Sequence, residues 1–251
     1  MIEILFLSFI QGVTEFLPVS SSSHLILVSE YLNFEEQSLS IDVSLHIGSF
    51  LAVILYFYKD VLNLFKNRLL FMKILISSLP VMIIGFFLVK FGLTEKIRSL
   101  EIIAWTTILF AILLYISDRF SLSRNLEKDF SYKSAIFIGM FQILSLIPGV
   151  SRSGIAITAA RLLSFKRVDS AKISFLISIP ILGAVSFFGL KNLVILDDIN
   201  LIKLNLFSIL FSLGFSLITI KYFLKYIKKF NLNLFVYYRI LLGLILLYLT
   251  L

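Results

Sequence analysis

Six stretches of this chain are apolar over the length needed to cross a lipid bilayer: 39–58, 71–91, 101–117, 170–190, 204–224 and 233–251. A membrane-spanning helix needs about 20 such residues. Backbone polar groups find no water inside a bilayer, so each run must satisfy its own hydrogen bonds as a helix. The chain is therefore read as an all-α integral membrane protein, a single membrane domain over residues 1–251. Composition agrees. The chain is 59% apolar and 15% charged, with mean hydropathy +1.00, whereas soluble domains run at about 45–50% and about 25%. A soluble enzyme and a disordered chain are both excluded. With no cysteine and only two histidines, His24 and His46, thiolate and multi-histidine metal centres are excluded as well. Any metal must sit on oxygen ligands, which means Mg²⁺ or Ca²⁺. The net charge of +8 lies in short clusters between apolar runs. That is membrane topology rather than a nucleic-acid surface, and no nucleic-acid partner is expected. The first residues carry Glu3 and no basic run or cleavage site, so they are not expected to be a signal peptide.

Two further apolar regions, 1–29 and 134–164, are broken in the middle. The first break reads Leu17-Pro18-Val19-Ser20-Ser21-Ser22-Ser23-His24 and the second Ile147-Pro148-Gly149-Val150-Ser151-Arg152-Ser153-Gly154. Proline removes a backbone donor and disfavours helix before it. Each region is either a kinked span or a re-entrant pair of half-helices. Counting basic residues separates the two. If both regions re-enter, one membrane face receives 15 of the 23 (within Lys59–Lys73, Arg119–Lys133, Lys166–Lys172 and Lys221–Lys229). The other receives 5: Lys90, Lys96, Arg98, Lys191 and Lys203. If both span, the division is 10 to 10. The asymmetry expected of membrane proteins favours six spans plus two re-entrant hairpins, with both termini outside. Each broken region is followed by three spans, an odd number. Residues 1–117 and 134–251 are thus expected to form an inverted repeat, with a site where the broken helices meet.

The breaks gather the polar groups. Gln11 and Glu15 share a helix face, and Ser21 and His24 lie three apart. Glu15, His24 and Arg152 are ionisable groups at membrane depth, each a functional hypothesis by default. Arg152 offers a fork of donors to phosphate. Ser20, Ser22, Ser151 and Ser153, with Gly149 and Gly154, can form an anion cradle at half-helix starts. Glu15 is a hard ligand for a divalent cation, with Gln11 a second. His24 can move a proton, and Ser21 is a hydroxyl nucleophile. Together these suggest phosphoryl transfer on a lipid-borne phosphate. The structural alternatives are an ion pair between Glu15 and Arg152 joining the repeats, and His24 as a helix cap. His46, with Asp42 four residues earlier, is either a pocket residue or a span end. Arg161 is read as a snorkelling end residue and Arg239 as needing no special role.

At these residues the sequence resembles the undecaprenyl-diphosphate phosphatases of the bacitracin-resistance type. Their motifs are an (E/Q)-x-x-x-E pattern running into F-L-P-V-S-S-x-G-H, and a P-G-x-S-R-S-G segment. Here they read Gln11 to His24 and Pro148 to Gly154. The resemblance implies hydrolysis of undecaprenyl diphosphate to the monophosphate and inorganic phosphate, which recycles the peptidoglycan lipid carrier. It implies a divalent metal and a site facing the extracytoplasmic side of the bacterial plasma membrane, with a homodimer left open. It also implies roles: Glu15 as the essential acid, Ser21 and His24 as a catalytic pair, Arg152 as the phosphate clamp. Gln11 stands where the family allows Glu or Gln, so a first carboxylate is absent. Ser23 replaces a usual glycine, and Ala156 a common threonine. Two mechanisms stay open: attack by Ser21 with His24 as base, or attack by metal-bound water. A lipid-phosphate flippase or transporter using the same pocket is the alternative function.

Overall fold

The computed structural model describes residues 1–32, 38–92, 99–194 and 199–250. Among them the helices are α1 (Ile2–Thr14), α2 (Ser21–Leu32), α3 (Leu39–Tyr56), α4 (Tyr58–Lys66), α5 (Arg68–Lys90), α6 (Leu100–Asp118), α7 (Leu126–Asp129), α8 (Tyr132–Ile143), α9 (Arg152–Leu162), α10 (Arg167–Val194), α11 (Ile199–Ile227) and α12 (Asn233–Thr250). Six of these, α3, α5, α6, α10, α11 and α12, are long and apolar enough to cross a membrane, and they coincide with the six apolar runs. Their outward faces carry Phe86, Phe87, Trp105, Phe187 and Phe188, all more than 45% exposed. Such apolar surface is stable only against lipid. The protein is an all-helical, multi-pass membrane protein. Lys96 and Arg98, counted on the less basic face, lie outside the described residues.

The broken regions form short helices. α1, α2, α8 and α9 have 13, 12, 12 and 11 residues. At about 1.5 Å per residue none covers a hydrocarbon core of about 30 Å. At one end of the bundle the segment before α8 lies beside the segment after α9. There the Arg124 N–H donates to the Ser164 carbonyl and the Lys166 N–H to the Arg124 carbonyl, both at 3.0 Å.

That end is tied together by Asp118, which closes α6. Its carboxylate accepts from Arg161 Nε at 3.3 Å, Arg167 Nε at 2.7 Å and the Leu232 N–H at 3.1 Å. Arg161 does not snorkel. It is fully buried and also donates to the carbonyls of Ser121, Phe165, Asp118 and Phe120. The loops after α6 and α9 turn these carbonyls inward, where only a multi-donor cation satisfies them. Removing the Asp118 carboxylate strands a buried charge, which costs about 3–5 kcal/mol. Asp118→Ala is therefore expected to lower thermal stability in detergent sharply, and Asp118→Ala with Arg161→Met to lower it less than the two single losses combined.

Packing elsewhere follows small residues. α3 runs along both α11 and α10, α1 lies on α11, α8 on α5, and α6 on α12. On α3, a Cβ at Gly48 would collide with the backbone of α11 at Ile209 and Leu213. Ser49 Oγ lies 3.2 Å from Ser212 Oγ and 3.1 Å from Ser216 Oγ, and Ser44 Oγ donates to Asn205 Oδ1 at 2.8 Å. Close approach through small residues and interhelical hydrogen bonds is what joins helices in lipid.

Candidate active site

Backbone geometry at the two breaks positions the site. Ser20 and Ser151 sit at φ 76° and 72°, a region that costs a non-glycine residue of order 1–3 kcal/mol. Each is followed at once by a half-helix: Ser21 opens α2 and Arg152 opens α9. Ser151 also caps α9, its Oγ accepting from the Gly154 N–H at 3.1 Å. The two tips lie against each other. Arg152 from the second forms an ion pair with Glu15 Oε1 from the first. Ser153 Oγ donates to the Leu17 carbonyl at 2.7 Å.

Glu15 is the hub. It is 7% exposed, a carboxylate that must be paired to stay charged. Beyond Arg152, its Oε2 accepts from Ser21 Oγ at 2.5 Å and from Gln11 Nε2 at 3.1 Å. A cavity of about 150 Å³ opens beside it, lined by Glu15, Ser20, Ser21, Ser22, His46, Ser145, Ser151 and Arg152, with Leu182 and Val185 of α10. At about 30 Å³ per water, it has the volume of about five waters, enough for a phosphate headgroup and not for a long hydrocarbon chain. Hydroxyls and a guanidinium around this cavity offer hydrogen-bond donors to an anion.

The structure separates the expected residues. Gln11, Glu15, Ser20, Ser21, Ser22, Ser151 and Arg152 come together. Ser153, Gly149 and Gly154 do not face the cavity. Gly149, at φ 91°, packs against Thr106 of α6 with no room for a Cβ, and Gly154 lies behind Ser151. Ser21 and His24 do not pair. Three residues along a helix leave them about 60° apart, so Ser21 turns to Glu15 while His24 turns to α12. His24 Nδ1 donates to the Ser20 carbonyl at 2.6 Å, and its Nε2 meets the Tyr238 hydroxyl at 2.5 Å. Both imidazole nitrogens are thereby used.

Arg239 corrects a second expectation. It is fully buried, not idle in its span. Its guanidinium donates to the Pro18 carbonyl of one tip at 3.3 Å and to the Gly149 and Val150 carbonyls of the other at 2.9 and 3.1 Å. Sequence reasoning missed it, together with Tyr238 and Ser145. The available signal was a lone arginine deep in an apolar run, which at membrane depth implies partners.

The donor set bears on a cation. Among the described residues no three His, Cys, Asp or Glu side chains cluster. However, Gln11 Oε1 is buried without a hydrogen-bond partner, on a side chain whose Nε2 bonds Glu15. One carboxylate, one orphaned amide oxygen and hydroxyls fit a hard cation that takes its remaining ligands from phosphate and water.

Residues 4–245 match the profile of the family described as bacitracin resistance protein BacA. The undecaprenyl-diphosphatase of Pelagibacter ubique is 48% identical over 246 residues, covering 98% of this chain and 96% of the relative. Those of Saccharophagus degradans and a Ruegeria species are 41% and 36% identical, covering 95% and 100% of this chain and 94% and 98% of the relatives.

Proposed function

Because this chain belongs to the bacitracin resistance protein BacA family, we propose that it cleaves the terminal phosphate of undecaprenyl diphosphate at the cavity between its two tips. The observation that carries the site is one carboxylate, Glu15, holding both the guanidinium of Arg152 and the hydroxyl of Ser21. The cavity accommodates the diphosphate only. The prenyl chain leaves past Leu182 and Val185, the latter 41% exposed, into lipid.

The residues divide the work. Arg152 moves from Glu15 Oε1 to the terminal phosphate and offsets charge as it develops on the transferring oxygens. Ser20, Ser22 and Ser151 orient that phosphate. Ser21 Oγ attacks its phosphorus, giving its proton to Glu15 Oε2, while the bond from phosphorus to the bridging oxygen breaks. Undecaprenyl phosphate departs, and water then cleaves the phosphoserine to inorganic phosphate and free Ser21. A divalent cation held by Glu15, Gln11 Oε1 and the substrate's own oxygens would supply further neutralisation of phosphate charge.

The same reading extends to topology. The joining of the loops after α6, α9 and α11 through Asp118 and Arg124 supports the re-entrant arrangement. Their basic residues favour the cytoplasm for that end, and on this reading the termini and the site open toward the other side. Under the exchange of the two repeats, the packing of α1 on α11 corresponds to that of α8 on α5, which supports the inverted repeat.

The test is phosphate release from undecaprenyl diphosphate by purified protein in detergent, where no gradient exists. Wild type is expected to release phosphate, and a chelator to suppress release. Ser21→Ala and Glu15→Ala are each expected to lower kcat at least about 10²-fold, with a labelled phosphoserine trapped only when Ser21 is present. A transporter would bind the lipid and release nothing. Full activity in Ser21→Ala would replace serine attack by water attack.

A further inference from the structure

The cavity is also lined by His46, on α3, and its hydrogen bonding fixes which ring nitrogen carries the proton. Ionised Glu15 only accepts hydrogen bonds, so the Gln11 group 3.1 Å from Oε2 must be the amide NH₂. The same nitrogen lies 3.0 Å from His46 Nδ1. An NH₂ group has two hydrogens, one for each partner. His46 Nδ1 is therefore the acceptor, and a neutral imidazole accepting at Nδ1 carries its proton on Nε2.

The opposite holds for His24. Its Nδ1 faces the Ser20 carbonyl, which can only accept, so Nδ1 carries the proton and Nε2 accepts from Tyr238. The two histidines of the chain have opposite tautomers and opposite places. His24 lies against α12 with both nitrogens used, and His46 lines the cavity that holds Arg152 and the tip serines.

We propose that His46, locked by Gln11 as the Nε2–H tautomer, is a substrate-contacting hydrogen-bond donor to the diphosphate, acting from α3 opposite the Arg152 tip. This rests on the phosphatase reading above, and it adds a binding residue outside both tip motifs. It also assigns Gln11 a task that glutamate at the same position could not perform. A second carboxylate beside Glu15 would accept from His46 Nδ1, so the neutral ring would carry its hydrogen there and not on Nε2.

Two measurements test this. In ¹⁵N-histidine-labelled protein in detergent, two-bond correlations are expected to report one Nδ1–H and one Nε2–H imidazole, the Nε2–H pattern vanishing in His46→Gln. Kinetically, His46→Leu is expected to raise KM for undecaprenyl diphosphate roughly 10- to 100-fold, the size of a hydrogen bond to a charged group, with a smaller change in kcat. His46→Gln, whose amide nitrogen reaches as far as Nε2, recovers most of the loss. His46→Asn, whose amide reaches only as far as Nδ1, does not. Gln11→Glu is expected to convert His46 to the Nδ1–H form and to raise KM in the same way. An Nδ1–H His46 in wild type, an unchanged KM in His46→Leu, or equal defects in His46→Leu and His46→Gln would each overturn the proposal. Absence of phosphate release by wild type would instead refute the phosphatase reading, while the tautomer spectrum still decides the hydrogen-bond assignment.

Discussion

Arg152→Ala is expected to lower kcat/KM for phosphate release by about 10²- to 10³-fold, the loss seen when a preorganised donor to a developing anion is removed. Arg152→Lys recovers little, because a point charge does not reproduce the planar fork that grips carboxylate or phosphate. The same change leaves Glu15 buried without its counter-charge, and breaking such a pair costs about 3–5 kcal/mol. The two effects separate in the double variant Glu15→Gln with Arg152→Ala. Its thermal stability in detergent returns toward wild type, since no unpaired charge remains, while its activity stays low. Wild-type turnover in Arg152→Ala would remove the guanidinium from the chemistry and leave it only the ion pair.

Arg239→Met is expected to lower stability and activity together. It strips the donor from three buried carbonyls, Pro18, Gly149 and Val150. An unsatisfied buried acceptor costs about 1–3 kcal/mol, and Gly149 keeps a 3.5 Å contact from Thr107 Oγ1, so the loss is about 2 kcal/mol or more, read as a fall in unfolding temperature. Activity falls with it. The guanidinium spans both tips, and a displacement of about 1 Å at a reacting centre can cost about 10²-fold in rate. Arg239→Lys keeps the charge but cannot reach both tips with one ammonium, and is expected to lie between the two. Lost activity with unchanged unfolding temperature would place Arg239 in contact with substrate rather than behind the tips.

The spans were legible because a bilayer imposes a length that no other environment imposes, and the six helices coincide with the six apolar runs. Their starts were less so. α5 begins at Arg68 rather than 71 because the Asn67 side chain accepts from the Leu70 N–H at 3.1 Å, a local cap inside a basic cluster that hydropathy does not register. α10 begins at Arg167 rather than 170, since Arg167 is held by Asp118 across the bundle end. The breaks were legible from proline and serine, and with them Glu15, Ser21 and Arg152. What stayed hidden was every contact whose partner is a backbone carbonyl or a distant helix. His24 meets Tyr238 across 214 residues, and helical spacing cannot foresee that. The acceptors of Arg161 and Arg239 are mostly main-chain oxygens, which have no sequence signature at all. His46 was noticed, yet only the bond to Gln11 ties it to the carboxylate.

If Arg152 grips the substrate phosphate as proposed, its pairing with Glu15 leaves the resting protein self-inhibited. Its own carboxylate occupies the guanidinium that an incoming phosphate needs, as an internal competitor. Every ligand is weighed against that built-in rival, so a single phosphate gains less than a diphosphate with its extra oxygens. Once hydrolysis has divided the charge between two products, each is a weaker rival to Glu15 than the diphosphate was, and Arg152 returns to its carboxylate as they leave.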